Sequence, residues 1–93
     1  MTDTPWLDDA SSLVDAFRAG ERSPKEELQA TLDAIAATDL NCFSHLDPER
    51  ALAAAASADL TKPFGGVPVG IKELEQVEGW PDTQGSLLFA DRI

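Results

Sequence analysis

The sequence Ser23-Pro24-Lys25-Glu26 constrains the fold of this chain more than any other feature, because it combines three signals for the start of a helix. A serine can cap the first turn, proline is favoured at the first helical position, and a glutamate three residues after the cap can accept the cap's own N–H. Apolar side chains then recur on one helical face, at Leu28, Leu32 and Ile35. The pattern predicts a helix that runs to about Ala37.

Two further helices are predicted by similar signals. Asp8 or Asp9 can cap a short amphipathic helix at about 9–19, which Gly20 would end. Asp47-Pro48 repeats the cap-plus-proline start, and residues 51–58 are nearly all alanine. Because alanine is the best helix former and adds little bulk, we expect this third helix to pack closely against a sheet or another helix.

Two segments carry the features of β-strands. Residues 41–46 alternate in polarity and contain no helix breaker, and residues 67–72 form a short apolar run in which Pro68 favours an edge or irregular start. Residues 79–85 are expected to form a long turn, and residues 86–93 to begin another helix. The order of helices and strands predicts an α/β fold that is cut off after about two strands.

Length and composition predict a globular, cytoplasmic protein that is one small domain or a piece of a larger one. A hydrophobic fraction of 43% and a charged fraction of 26% over 93 residues are ordinary for a globular protein. No apolar stretch approaches the roughly 18 residues that span a membrane, the opening residues are not those of a secretory leader, and a single cysteine forms no internal disulfide. Seven Lys and Arg against seventeen Asp and Glu give a net charge of −10 without a basic face, so we expect neither a nucleic-acid nor a membrane partner.

Lys72 is the strongest candidate for a chemical role. In an extended segment, Val67, Val69 and Ile71 point to one side, while Pro68, Gly70 and Lys72 point to the other. The lysine side therefore has space for a ligand or another chain segment. Burial disfavours the charged form of a lysine, so a buried lysine can act as a neutral base near pH 7. A solvent-exposed lysine at the end of a strand is the alternative.

Two other motifs are rejected. Gly65 and Gly70 have the spacing of a phosphate-binding loop, but Ile71 stands at the lysine position of that loop and Glu73 would repel phosphate. Ser86 lies before Leu87 as in the modified arm of a carrier protein, yet Gly85 precedes it and only seven residues follow it. We expect Ser86 to cap a helix instead.

The segment from Lys62 to Leu74, with the sequence Lys-Pro-Phe-Gly-Gly-Val-Pro-Val-Gly-Ile-Lys-Glu-Leu, resembles the lysine motif of the amidase signature family. Four further segments are similar to the same family: the corner at residues 19–23, the Asn41-Cys42-Phe43 segment, the alanine-rich helix and the turn at 83–86. The resemblance therefore covers roughly residues 10–93. It implies an α/β/α enzyme with a mixed central sheet that hydrolyses carboxamide C–N bonds through a Ser–cis-Ser–Lys triad. Lys72 matches the catalytic lysine, which holds and deprotonates the bridging serine.

Two departures qualify this expectation. Glu73 stands where the family usually has aspartate, and the Gly- and Ser-rich stretch that carries both catalytic serines has no counterpart in residues 1–93. We therefore expect the N-terminal part of a single amidase domain: a tail at 1–7, helices and one strand at 8–60, and the lysine strand with its following turn at 61–93. Alone, this chain is not expected to hydrolyse amides. The alternatives are a non-catalytic acidic interaction module and a partial subunit completed by another chain.

The remaining residues give weaker indications. Trp80 is expected either to line the substrate pocket or to cover the core, and Trp6 to pack onto the body. His45 and Cys42 are expected to be structural residues of a strand. No cofactor and no metal is expected, because His45 is the sole histidine and the acids near Glu73 do not converge. The expected partners are a small amide substrate in the full enzyme and either a second copy of the chain or a missing C-terminal portion.

Overall fold

The protein is described here by a computed structural model that covers residues 3–72, 77–81 and 93. Three helices form in this part of the chain: α1 (Ala10–Arg18), α2 (Pro24–Ala37) and α3 (Pro48–Ala56). The chain divides into two compact units. The first consists of Met1–Asp39 and Asp47–Pro68 and holds all three helices, and the second consists of Leu40–Leu46 and Val69–Ile93.

The three helices begin where their capping residues predict. At α2, the Glu26 N–H donates to Ser23 Oγ at 3.1 Å and the Ser23 N–H donates to the Glu26 carboxylate at 3.3 Å, which completes the expected capping box. At α1, the Ser12 N–H donates to the Asp9 carboxylate at 2.7 Å. At α3, the Arg50 N–H donates to Asp47 at 3.3 Å. All three helix predictions are confirmed, with ends within two residues of those expected.

The core of the first unit is small and lies on one face of α1. Its buried apolar side chains are Leu13, Val14, Ala16 and Phe17 of α1, together with Ala30 of α2. The alanine-rich α3 packs against α2, as its small side chains predict, although none of its residues is fully buried. The Leu28, Leu32 and Ile35 stripe of α2 is half-buried.

A buried carboxylate fastens the start of the chain to α2. Glu27 is 4% exposed, and it accepts the Trp6 backbone N–H at 3.0 and 3.2 Å and Arg22 Nε at 2.7 Å. The same guanidinium forms an ion pair with Asp3 at 3.0 Å and donates to the Thr4 carbonyl oxygen at 3.0 Å. Because Arg22 and Glu27 satisfy each other and the backbone, neither charge is buried without a partner. The prediction that Trp6 packs onto the body is confirmed.

The loop that follows α3 is fixed to α1. Arg18 Nε donates to the Leu60 carbonyl oxygen at 2.9 Å, and its Nη2 donates to the Lys62 carbonyl oxygen at 3.1 Å. Gly66 then adopts a φ of +89°, and a β-carbon there would lie 2.6 Å from Pro24 Cγ and 3.2 Å from Phe17 Cε2. A side chain at this position would prevent the loop from approaching the first turn of α2.

The two predicted strands do not form. Residues 41–46 and 67–72 are outside regular secondary structure, and the described residues contain no β-pairing. The reason is that a strand needs a neighbouring backbone to accept and donate its hydrogen bonds, which sequence alternation alone does not supply. Asn41 also has a left-handed φ of 53°, which interrupts an extended run at its first residue, and Pro68 has no N–H to donate. The predicted turn at 79–85 and the helix at 86–93 lie mostly outside the described residues.

The helices of the described part are too short or too polar to cross a lipid bilayer. The longest of them, α2, has 14 residues.

Candidate functional site

The second unit contains a pocket with a volume of about 420 Å³. Two stretches of chain form its walls, one before α3 and one after it. Its described lining residues are Asn41, Cys42, Phe43, Ser44, His45, Ile71, Lys72, Val77, Trp80 and Pro81. A volume in this range accommodates a small organic molecule. Polar and apolar side chains contribute about equally to the lining.

Lys72 lies in the wall of this pocket, next to Ile71. It is the residue that the sequence singles out, and the structure therefore associates its amine with a concave site. Its side chain is exposed with respect to the described residues, as is Ile71. The apolar cover that a lysine base requires is thus not supplied by the described part of the chain.

Trp80 and His45 face each other across the pocket wall. Their ring centroids lie 5.3 Å apart with an interplanar angle of 61°, which is an edge-to-face arrangement. Trp80 is half-buried and His45 is exposed. Trp80 thus lines this pocket, and its contact with substrate stays a prediction.

Several lining residues are not singled out by the sequence as site residues. Phe43 and Ser44 belong to the first predicted strand, and Val77 and Pro81 to the acidic region and turn after Lys72. Cys42 is exposed and free rather than packed as a small hydrophobic residue. Nothing in the local pattern indicates that residues 41–45 share a pocket with residues 71–72, 77 and 80–81, because these segments lie about 30 residues apart.

The chemical character of the pocket follows from its lining. It offers the amine of a lysine, an imidazole, a thiol, a hydroxyl and an amide beside apolar and aromatic side chains. The described residues contain no cluster of three or more His, Cys, Asp and Glu side chains that could hold a metal ion. The side chains of the pocket can make ring contacts and hydrogen bonds with a small molecule.

The family model described as Amidase matches residues 26–93. The chain belongs to the amidase signature family. The matched range contains Lys72 and every other described residue of the pocket. The resemblance of the lysine segment to this family is thereby confirmed.

Three curated relatives are each named as the A subunit of glutamyl-tRNA(Gln) amidotransferase. The protein of Salinispora tropica is 38% identical over 91 residues, which is 88% of this chain and 18% of that protein. That of Mycolicibacterium gilvum is 40% identical over 88 residues, covering 84% of this chain and 18% of the relative. That of Chloroflexus aggregans is 38% identical over 99 residues, covering 97% and 20% respectively. The chain thus spans about a fifth of the length of these relatives, and no solved structure matches it.

Proposed function

We propose that this chain is the lysine-bearing N-terminal part of an amidase-type hydrolase that cleaves carboxamide C–N bonds. The observation that carries this proposal is the position of Lys72 in the wall of the 420 Å³ pocket, within the segment that matches the Amidase family. We also propose the domain division expected from the sequence, in which residues 61–93 form the segment that carries the lysine.

In the proposed mechanism, Lys72 acts on two serines that residues 1–93 do not supply. The neutral lysine accepts a proton from a bridging serine, which in turn accepts the proton of the nucleophilic serine. The nucleophile attacks the amide carbonyl carbon, backbone N–H groups stabilise the oxyanion, and the amine leaves with a proton. Water then hydrolyses the acyl-enzyme and regenerates the serine.

The open side of the lysine segment supports this arrangement. A β-carbon on Gly70 would meet no heavy atom of the described residues within 4 Å, so a second backbone has room to approach beside Lys72. Such an approach would also cover the lysine and favour its neutral form. In the same proposal, residues 41–46 and 67–72 become strands of a mixed sheet in an α/β/α domain once neighbouring strands are present.

A second candidate is a protein whose site is completed by a partner chain. The curated relatives are named as one subunit of an amidotransferase, which favours an assembly of several chains. In that case Lys72 keeps its role, and the missing groups come from the assembled complex.

The test begins with the coding DNA, read past the codon for Ile93, followed by expression of the whole open frame. Ammonia release from a panel of small amides is then measured for the native protein, Lys72→Ala and Lys72→Arg. We expect both substitutions to lower kcat by about 10²- to 10⁴-fold, because arginine keeps the charge but does not act as a base.

The matched control is Lys62→Ala, since this lysine is not among the described lining residues of the pocket. Its hydrogen bonds to Arg18, Asp59 and Gly65 are made by its backbone, which alanine keeps. Near-native activity of Lys72→Ala would contradict the proposed role. A stop codon directly after Ile93 would exclude an amidase formed by this chain alone and would direct the search to a partner.

A further inference from the structure

We propose that Arg18 is a positioning residue for Lys72, and that it acts by fixing the loop from which the lysine segment starts. This rests on the proposed function, in which Lys72 is the base and residues 67–72 become a strand. Arg18 and residues 59–66 belong to the first unit and lie outside the segments that would become strands.

The first argument is the attachment of the loop to α1. Arg18 Nε donates to the Leu60 carbonyl oxygen at 2.9 Å, and Nη2 donates to the Lys62 carbonyl oxygen at 3.1 Å, across 42 and 44 residues of sequence. The planar guanidinium therefore holds two carbonyls of the loop in one orientation relative to the end of α1. Stabilising the C-terminal end of α1 would require only a positive charge there, and not these two directed hydrogen bonds.

The second argument is that the loop is a series of closed turns. The Thr61 N–H and Oγ1 donate to the Asp59 carboxylate at 3.0 and 2.6 Å. The backbone N–H groups of Lys62, Gly65 and Val67 each donate to the carbonyl oxygen three residues before, at 3.1 to 3.2 Å. Because each step is closed, the position at which the loop is held also fixes where the lysine segment begins.

The third argument is that the lysine segment cannot set its own register as a strand. The apolar alternation along residues 67–71 selects a face, but a slip of two residues preserves that face and displaces Lys72 by about 6.6 Å. Pro68 has no N–H to donate to a neighbouring strand, and Gly70 has no side chain to pack. Turn geometry is the other feature that fixes register, and here it is the loop held by Arg18 that supplies it.

The experiment measures amide hydrolysis by the whole open frame, with its partner chain if the frame ends at Ile93. The kcat and KM values are compared for the native enzyme, Arg18→Met and Arg18→Lys, on the small amide used for the Lys72 variants. The matched control is Lys25→Ala, which removes a positive charge from an exposed residue in the first turn of α2.

We expect Arg18→Met to lower kcat by about 10- to 100-fold, because a misplacement of about 1 Å can cost about 10²-fold in rate. The KM should stay within about twofold of the native value, since the substrate does not touch Arg18. Arg18→Lys keeps the charge at the end of α1 but not the two-pronged donor, so its kcat should fall between the two. Lys25→Ala should have the native kcat.

A double variant separates positioning from a merely structural role. Arg18→Met combined with Lys72→Ala should lower kcat no further than Lys72→Ala alone, because a residue that acts only through Lys72 has no effect once that amine is removed. Urea unfolding followed by circular dichroism checks that each variant is folded in the assay. If Arg18→Met is not folded, Arg18→Lys takes its place in both comparisons.

Three outcomes would overturn the role of Arg18: a native kcat, a raised KM with an unchanged kcat, or a further loss in the double variant as large as that in the single one. In each case an impaired Lys72→Ala would leave the proposed function standing. Near-native activity of Lys72→Ala would contradict both proposals, so the two failures are distinguished by that variant.

Discussion

Gly66 provides a quantitative test of how the loop after α3 is held in place. Replacing it with alanine introduces two separate penalties. The first is the left-handed φ of +89°, which is unfavourable for any residue with a β-carbon by roughly 1–2 kcal/mol. The second is steric, because the new β-carbon would lie 2.6 Å from Pro24 Cγ and 3.2 Å from Phe17 Cε2.

The steric penalty is not easily relieved. Pro24 is a ring at the first position of α2, and Phe17 is 3% exposed within the core, so neither can move without disturbing its neighbours. Overpacking of this kind costs roughly 1–3 kcal/mol. We therefore expect Gly66→Ala to lower the free energy of unfolding by about 2–5 kcal/mol.

Gly20→Ala is the matched control for the backbone penalty alone. Gly20 has a φ of +75°, and its added β-carbon would meet nothing within 4 Å among the described residues. We expect this variant to lose only roughly 1–2 kcal/mol. Gly70→Ala, which has neither a left-handed φ nor a close neighbour among those residues, should be neutral or stabilising by up to about 1 kcal/mol.

The assay is urea unfolding of the three variants and the native chain, followed by far-UV circular dichroism. The difference between Gly66→Ala and Gly20→Ala measures the contact with Pro24 and Phe17. If Gly66→Ala leaves too little folded protein, the series is repeated in trimethylamine oxide, which strengthens burial. Equal losses for Gly66→Ala and Gly20→Ala would refute the reasoning, since the steric term would then be absent.

Three further predictions concern caps and the buried carboxylate. Ser23→Ala should lower the free energy of unfolding by about 1 kcal/mol in the same urea assay, since it removes the cap of α2. Glu27→Gln should lower the free energy of unfolding by roughly 1.5–3 kcal/mol, because Arg22 loses its buried charged partner. The control Glu26→Gln, at an exposed position, should change the free energy of unfolding little. Equal effects of the two substitutions would contradict a stabilising role for the buried Glu27 carboxylate. The backbone and side-chain hydrogen bonds from Ser12 lower the pKa of Asp9 below its usual 3.8. The ionised Asp9 carboxylate therefore stabilises the fold fully at pH values above 3.8, and this stabilisation is lost as the pH falls below that value. Asp9→Asn, which still caps but does not titrate in this range, should therefore show a smaller loss of stability in acid than the native chain, and an identical acid dependence would contradict this.

The helices could be predicted from the sequence because their signals are local. The box formed by Ser23 and Glu26 needs only four consecutive residues, and it forms as expected. The same holds for Asp9 and Asp47, whose carboxylates each accept an N–H three residues ahead. A cap acts within one turn of the chain, so the rest of the fold has little opportunity to override it.

The strands and the pocket could not be predicted in the same way, because they depend on distant parts of the chain. Alternation at 41–46 shows that one side of the segment is apolar, but not which backbone would pair with it. The approach of His45 to Trp80 joins positions 35 residues apart, with α3 between them in sequence. Lys72 is identified through the resemblance of a whole motif, whereas Phe43 and Val77 carry no local signal of a pocket.

The exposure of apolar side chains in the second unit connects the missing strands with the proposed enzyme. Leu40 is 76% exposed, Val69 is 78% exposed and Ile71 is 46% exposed, and Phe43 and Leu46 are each 44% exposed. Single exposed apolar residues are ordinary, but these five lie in the two segments, or directly beside them, whose patterns are those of strands. Such side chains lower the free energy only when another surface covers them, and unpaired extended backbone likewise needs a neighbour. In the proposed enzyme, the interactions that complete the sheet also bring a second backbone beside Gly70 and Lys72, where a β-carbon on Gly70 meets no described atom within 4 Å.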